Sequence, residues 1–224
     1  MKNKSLGIYI HIPFCVKKCH YCDFCSAPAD EEIKNQYTSR LISEISSPSA
    51  REFLSEHTID TVYFGGGTPT CLSPRALNSI LSAVYECYSV SSDTEITFEC
   101  NPGTVDRDDL VELKKGGFNR ISLGLQSTHD SELKTLGRIH NFRDFDATFN
   151  CARQAGFDNI SLDLMYGLPQ QTAESFEASL NTVIKYSPEH ISAYSLIIEE
   201  GTPDEIFGSP KSERLQGFLA KVLM

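Results

Sequence analysis

Apolar and polar positions along this chain follow two different periods. Short runs rich in β-branched and aromatic residues read as strands: "LGIYIHI" (6–12), "TVYFG" (61–65), "EITFEC" (95–100), "RISLGL" (120–125), "NISLDLMYG" (159–167) and "HISAYSLII" (190–198). Between them, apolar residues recur at helical spacing. After Asp30 the series is Ile33, Tyr37, Leu41, Ile42 and Ile45. Ser73-Pro74 is a cap and first-turn proline before Leu77, Ile80, Leu81, Val84 and Tyr88. Asp106 caps a helix carrying Leu110 and Leu113 that Gly116-Gly117 stops. Phe142, Phe145, Phe149 and Ala152 mark another, ended by Gly156. Thr172 starts one carrying Phe176, Leu180, Val183 and Ile184.

Strand–helix alternation implies right-handed crossovers and a parallel sheet. Periodicity alone leaves an open doubly wound sheet and part of a (β/α) barrel both standing. The polar residues tip the balance. Unusual groups follow successive strands: "CVKKCHYC" (15–22), "GGGTPT" (65–70), "ECNPG" (99–103), Gln126, and "DLMYGLP" (163–169). In a barrel the carboxyl ends of all strands converge on one mouth, whereas a doubly wound sheet concentrates its chemistry at one switch point. The expected fold is α/β, a partial (β/α)6 TIM-like barrel of parallel strands. After Pro203 a short amphipathic helix (Leu215, Phe218, Leu219, Val222) is expected, with no seventh strand.

Composition narrows the function classes. At 224 residues and 40% apolar, the chain suits one large domain. Its net charge of −10 repels phosphate backbones, which argues against general nucleic-acid binding. No apolar run approaches the roughly 20 residues of a membrane span, so membrane association is expected only through a partner. The first apolar run is short and broken by His11 and Pro13, which is unlike a signal peptide. A cytoplasmic location follows as an expectation, with the eight cysteines as reduced thiols.

Cys15, Cys19 and Cys22 have the spacing C-x3-C-x2-C. Three thiolates within eight residues can wrap one inorganic centre. A zinc site ordinarily takes four ligands in two pairs, and Cys25 forms a further C-x2-C with Cys22, so zinc stays open. An iron–sulfur cube held by three cysteines keeps one iron open for a substrate or cofactor. Cys71, Cys87, Cys100 and Cys151 read as packing. "GGGTPT" is a turn, or a place where backbone approaches a ligand and offers N–H donors to a carboxylate. It lacks the ending of a Walker loop. Glu99 ends an apolar strand, where a carboxylate needs a partner or water. Tyr9, Gln126, Arg138 and Asp163 are unremarkable taken singly. His11 reads as a strand histidine or as a tuner of the cysteine centre, and His20 as solvent-exposed.

Taken together, "IYIHIPFC…CHYCDF", "GGGTPT", "ECNPG", "LGLQS" and "DLMYGLP" resemble the radical S-adenosylmethionine superfamily. Within it they resemble the oxygen-independent coproporphyrinogen oxidase group, nearest its heme-chaperone branch. The resemblance covers roughly residues 6–203. It implies a [4Fe-4S] cluster on Cys15, Cys19 and Cys22, and S-adenosylmethionine contacts from Tyr9, Gly66, Gly67, Thr68, Glu99, Gln126, Arg138, Asp163 and Ile197. The implied chemistry is reductive cleavage of S-adenosylmethionine to methionine and a 5′-deoxyadenosyl radical. Implied partners are heme or a porphyrinogen, a heme-acceptor protein, and an electron donor such as flavodoxin or ferredoxin.

Within the group, oxidases resemble C-x3-C-x2-C-x-C and carry an N-terminal arm. Here position 24 is Phe24, Cys25 comes one place later, and only eight residues precede Tyr9. The chaperone reading therefore ranks above the oxidase, with a non-catalytic iron–sulfur module as a third reading. Group members continue beyond "EEGTP" into a C-terminal domain that carries the chaperone's heme-binding motif. Residues 204–224 do not resemble it, so the expected organisation is a core barrel over 1–203 and a short atypical tail.

Overall fold

In the computed structural model, residues 4–196 and Gln216 are described. Six strands, Lys4–Ile12 (β1), His57–Gly66 (β2), Val90–Cys100 (β3), Arg120–Gln126 (β4), Ile160–Tyr166 (β5) and His190–Ser195 (β6), pair in sequence order. Every pairing is parallel. The sheet curls into a half-barrel in which β1 and β6 form the open edges. The crossovers carry Glu31–Ile45 (α1), Pro48–Leu54 (α2), Pro74–Cys87 (α3), Arg107–Gly116 (α4), Asp130–Thr135 (α5), Phe142–Gln154 (α6) and Ala173–Lys185 (α7). The expected tail helix and Ile197 lie outside the described residues.

The helix starts follow the caps written in the sequence. Asp30 and Ser73 each accept from the backbone N–H three residues on. Asp106, Asn141 and Thr172 each close a reciprocal capping box. Gly117, at φ 113°, ends α4 in the left-handed region that favours glycine. Two expected face residues point elsewhere: Ile33 and Ile184 are more than half exposed. Short α2 and α5 were not anticipated. With 7 and 6 residues, neither runs long enough to display a helical period.

The strands sort their residues by alternation. One face sends Ile10, Ile12, Val62, Phe64, Ile96, Phe98, Ile121, Leu123, Ile160 and Leu162 into the helix layer, all nearly fully buried. There Phe118 packs edge-on against Phe64 and Phe98, at 5.0 and 5.3 Å between ring centroids. The other face lines the lumen and is polar. Glu99, Ser122, Ser161 and His190 form one row across β3 to β6, with Asp163 beside Ser192 above it.

Candidate active site

The cysteine segment leaves β1 as a loop pinned at both ends. Cys15 N–H donates to the Ala27 carbonyl, and Ala27 N–H to the Pro13 carbonyl. His11 Nε2 lies 3.0 Å from the Cys25 carbonyl, which clips the far limb to β1. His20 was expected in solvent, but it is half-buried. Its backbone N–H donates to Leu136 and its Nδ1 to the Thr135 carbonyl at 3.1 Å, docking the loop onto the end of α5. The sequence could not show this contact, because its partners lie more than a hundred positions away. Cys25 is exposed, and the thiols of 15, 19 and 22 are half-buried.

The glycine loop after β2 is used differently from the expectation that its N–H groups face a ligand. Gly66 N–H donates to Glu99 Oε2 at 3.2 Å, Gly67 N–H to the Ile12 carbonyl at 2.8 Å, and Thr68 N–H to the Phe14 carbonyl at 2.7 Å. These donors dock the loop onto β1 and the start of the cysteine segment. At Gly67 a Cβ would stand 2.6 Å from the Phe14 carbonyl oxygen, so glycine here permits close backbone approach. The Thr68 hydroxyl remains at the surface of the cavity, 3.5 Å from Cys15 Sγ.

Glu99 turns into the lumen, where Tyr63 donates to its Oε1 at 2.9 Å. Burial raises its pKa, and the Tyr63 and Gly66 hydrogen bonds pull the other way. Burial likewise pushes Asp163 up to about 6, with Ser122 at 3.3 Å opposing and Glu99 adding like charge. Gln126 sits where β4 loses register with β5, at φ 73°, a left-handed conformation unusual for a non-glycine residue. Its Oε1 accepts from Tyr194 at 2.7 Å.

Arg138 is the buried cation of the site. Its Nη2 donates to the Gly124 carbonyl at 2.7 Å and to Asn101 Oδ1 at 2.5 Å, and its Nη1 to Cys19 Sγ at 3.6 Å. Burial opposes its charge, but Tyr21 and Cys19 outweigh burial and its pKa is raised. Its Nε is buried without a hydrogen-bond partner among the described residues. A Cβ at Gly124 would come within 3.2 Å of the guanidinium, so this glycine makes room for it.

One cavity of about 130 Å³ collects these groups. It is lined by Cys15, Cys19, Cys22, Gly66, Gly67, Thr68, Glu99, Gln126, Arg138 and Asp163, together with Asn101 and Tyr194. Of the residues singled out in the sequence, Tyr9 lies outside it. Tyr9 is 59% exposed, stacked on Tyr63 and bonded to His11. Below this cavity, a lumen of about 680 Å³ shares Glu99, Ser122, Asp163 and Tyr194 with it and runs down to Arg120 and His190.

Reading the sequence passed over Asn101, Tyr63, Ser122 and Tyr194. Period-two alternation would have found Ser122, two residues after Arg120 on the lumen face of β4. Asn101 stands in the open within "ECNPG".

The thiols and the cation suit an iron–sulfur cube. Cys15, Cys19 and Cys22 all line the cavity; burial raises the Cys22 pKa, and the negative charge of Cys19 and Cys15 adds to it. Among the described residues, no three His, Cys, Asp or Glu side chains are gathered tightly enough for a single ion. Arg138 lines the same cavity, and its charge suits an anionic ligand there.

The sequence profile of the Radical SAM superfamily matches residues 9–183. The chain belongs to the radical SAM superfamily. It is 39% identical over 210 residues to heme chaperone HemW of Escherichia coli (strain K12), covering 93% of this chain and 54% of that protein. HemW of Bacillus subtilis (strain 168) is 40% identical over 195 residues, covering 87% and 51%. Among solved structures, coproporphyrinogen III oxidase (HemN) from E. coli, a radical SAM enzyme, superposes with a TM-score of 0.79. It is 28% identical, and the match covers 100% of this chain and 52% of that one. The chain thus spans about half the length of the curated relatives it matches. A structure of anSMEcpe with bound AdoMet shares the fold, with a TM-score of 0.62 at 14% identity. Among the described residues, no helix is long and apolar enough to cross a membrane.

Proposed function

We propose that this chain is the radical SAM core of a heme-chaperone-type protein. Cys15, Cys19 and Cys22 hold a [4Fe-4S] cluster, and Thr68, Glu99, Gln126, Arg138 and Asp163 hold S-adenosylmethionine beside it, with Gly66 and Gly67 shaping the wall. The observation that carries this reading is the meeting of three thiols with a buried, incompletely paired arginine in one cavity at the carboxyl ends of the strands. When bound, the cluster and cofactor supply one-electron reduction of a sulfonium.

The chain's own residues orient and shield. Arg138, on the cavity wall, supplies positive charge for a carboxylate or other anionic group. The glycine loop, with its N–H groups spent on the fold, meets the amino-acid end through the Thr68 hydroxyl and its carbonyl oxygens, which suit an ammonium. Glu99, beside the glycine loop, and Gln126 line the same cavity, and Asp163, with its raised pKa, donates or accepts a proton near neutrality. Tyr9 and Ile197 are assigned further cofactor contacts.

The further roles are heme binding, transfer to an acceptor protein, and reduction by a flavodoxin- or ferredoxin-like donor in the cytoplasm. The chaperone relatives, at 39–40% identity, support these roles. Val16, Phe24 and Ile139, exposed on loops flanking the cavity, offer apolar surface to a flat macrocycle. The likeness to HemN favours a second reading, porphyrinogen decarboxylation.

Anaerobic reconstitution of the chain with iron and sulfide tests the core. Alanine at Cys15, Cys19 or Cys22 should abolish iron retention, while Cys25→Ala keeps it. S-adenosylmethionine should alter the electron paramagnetic resonance spectrum of the reduced cluster, and an unaltered spectrum defeats the radical SAM assignment. Heme titration alongside a porphyrinogen decarboxylation assay separates the two roles. Turnover overturns the chaperone reading.

A further inference from the structure

Asn101 bridges two groups that lie against different cysteines. Its Oδ1 accepts from Arg138 Nη2 at 2.5 Å, and its Nδ2 donates to Thr68 Oγ1 at 2.8 Å. Arg138 Nη1 in turn lies 3.6 Å from Cys19 Sγ, and Thr68 Oγ1 lies 3.5 Å from Cys15 Sγ. A polar string thus runs from Cys15 through Thr68, Asn101 and Arg138 to Cys19. The backbone at its midpoint is fixed: the Asn101 carbonyl accepts from Thr104 N–H at 3.2 Å and from Thr104 Oγ1 at 2.6 Å.

The chemistry of the string sets its direction. A guanidinium has donors and no acceptor, so the amide oxygen of Asn101 must face Arg138. The amide NH2 must then face Thr68, whose oxygen accepts. Thr68 is 3% exposed, and its one hydroxyl proton is left to point away from Asn101, toward Cys15 Sγ. We propose that Asn101 is a positioning residue that orients the Thr68 hydroxyl as a donor to Cys15 while bracing Arg138 against Cys19, so that two cluster thiolates each receive one donor. Donors to ligand sulfurs withdraw charge from an iron–sulfur centre and raise its reduction potential. The inference rests on the proposed cluster assignment and adds a tuning role that the cysteines alone do not provide.

The test is a double-mutant cycle on the reconstituted full chain, read as the cluster midpoint potential in a dye-mediated titration without S-adenosylmethionine. Asn101→Asp is isosteric, and its carboxylate accepts from both neighbours, which turns the Thr68 proton away from Cys15. Thr68→Val removes that proton. The extra charge of Asn101→Asp acts equally in both backgrounds, so any excess negative shift with Thr68 present reports the reoriented hydroxyl. The expected result is a larger shift in the Thr68 background than in the Thr68→Val background. Equal shifts in the two overturn the proposal. Should Asn101→Asp retain no iron, Thr68→Val must lower the potential and Thr68→Ser restore it, and equality of the two overturns the proposal as well. Failure of the unaltered chain to hold any cluster is a separate result that sinks the underlying assignment.

Discussion

The ring of His20 packs against the α-carbon of Gly137. A Cβ at Gly137 would stand 2.8–3.0 Å from three atoms of the imidazole, and its φ of 72° disfavours any side chain. This contact seats the cysteine loop beside Arg138. Gly137→Ala should cost about 1–2 kcal/mol in backbone strain and displace His20. The expected outcome is a lower urea midpoint together with weaker iron retention; retention equal to the parent would show that His20 does not seat the loop.

Glu132 is a buried carboxylate holding three chain segments together. It accepts from Ser127 Oγ at 2.6 Å, Gln171 Nε2 at 3.0 Å and Ser175 Oγ at 2.8 Å. Glu132→Ala strands these donors and should destabilise the fold by about 3 kcal/mol. Equilibrium unfolding in urea measures it, and a loss under about 1 kcal/mol would mean the donors find water instead.

Two buried groups should give opposing pH dependences in the same window. Asp163 is raised from 3.8 to about 6 by burial, so the fold holds its proton more tightly than the unfolded chain does. Its contribution to stability is present below the unfolded value and is lost as pH rises to about 6, an effect of about 3 kcal/mol. His140 is lowered from 6.5 to about 4 by burial and by Arg138, and its Nε2 is spent on the Leu125 carbonyl. Its contribution is present above the unfolded value and is lost as pH falls toward about 4, again by about 3 kcal/mol. Asp163→Asn should therefore unmask a loss of stability on acidification from pH 6.5 to 4. His140→Gln should unmask a loss on the way up. Glu99 moves in the same direction as Asp163. Unfolding free energies across that range decide the matter, and parallel pH curves for parent and both variants would contradict the assignment.

Phe118 is fully buried between Phe64 and Phe98. Phe118→Ala opens a void that the sheet and its helix layer cannot close, and should cost about 3–5 kcal/mol. Thermal and urea unfolding should agree on the loss. A cost near 1 kcal/mol would show that the neighbouring rings collapse into the gap.

Much of this architecture could be read in the chain. The strands announced themselves because β-branched runs alternate over a buried face, and the long helices because apolar residues recur at helical spacing, with Asp30, Ser73, Asp106 and Thr172 at four of their starts. What escaped reading depends on distance along the chain. Asn101 meets partners 33 and 37 positions away, and His20 meets Thr135 across 115. No local pattern encodes such meetings. The glycine loop reads as a turn or as a place where backbone approaches a ligand; in the structure its close approach at Gly67 is to the Phe14 carbonyl, and its donors serve Ile12, Phe14 and Glu99, because backbone N–H groups left unpaired in a packed turn are costly.

The polar inner face of β4 to β6 divides the work of the molecule. Cohesion comes from the aromatic and aliphatic layer behind the sheet, so Ser122, Ser161 and Ser192 contribute little glue. Replacing them reshapes the chamber beneath the thiols while leaving the scaffold upright, which gives one chassis the freedom to line that chamber in different ways.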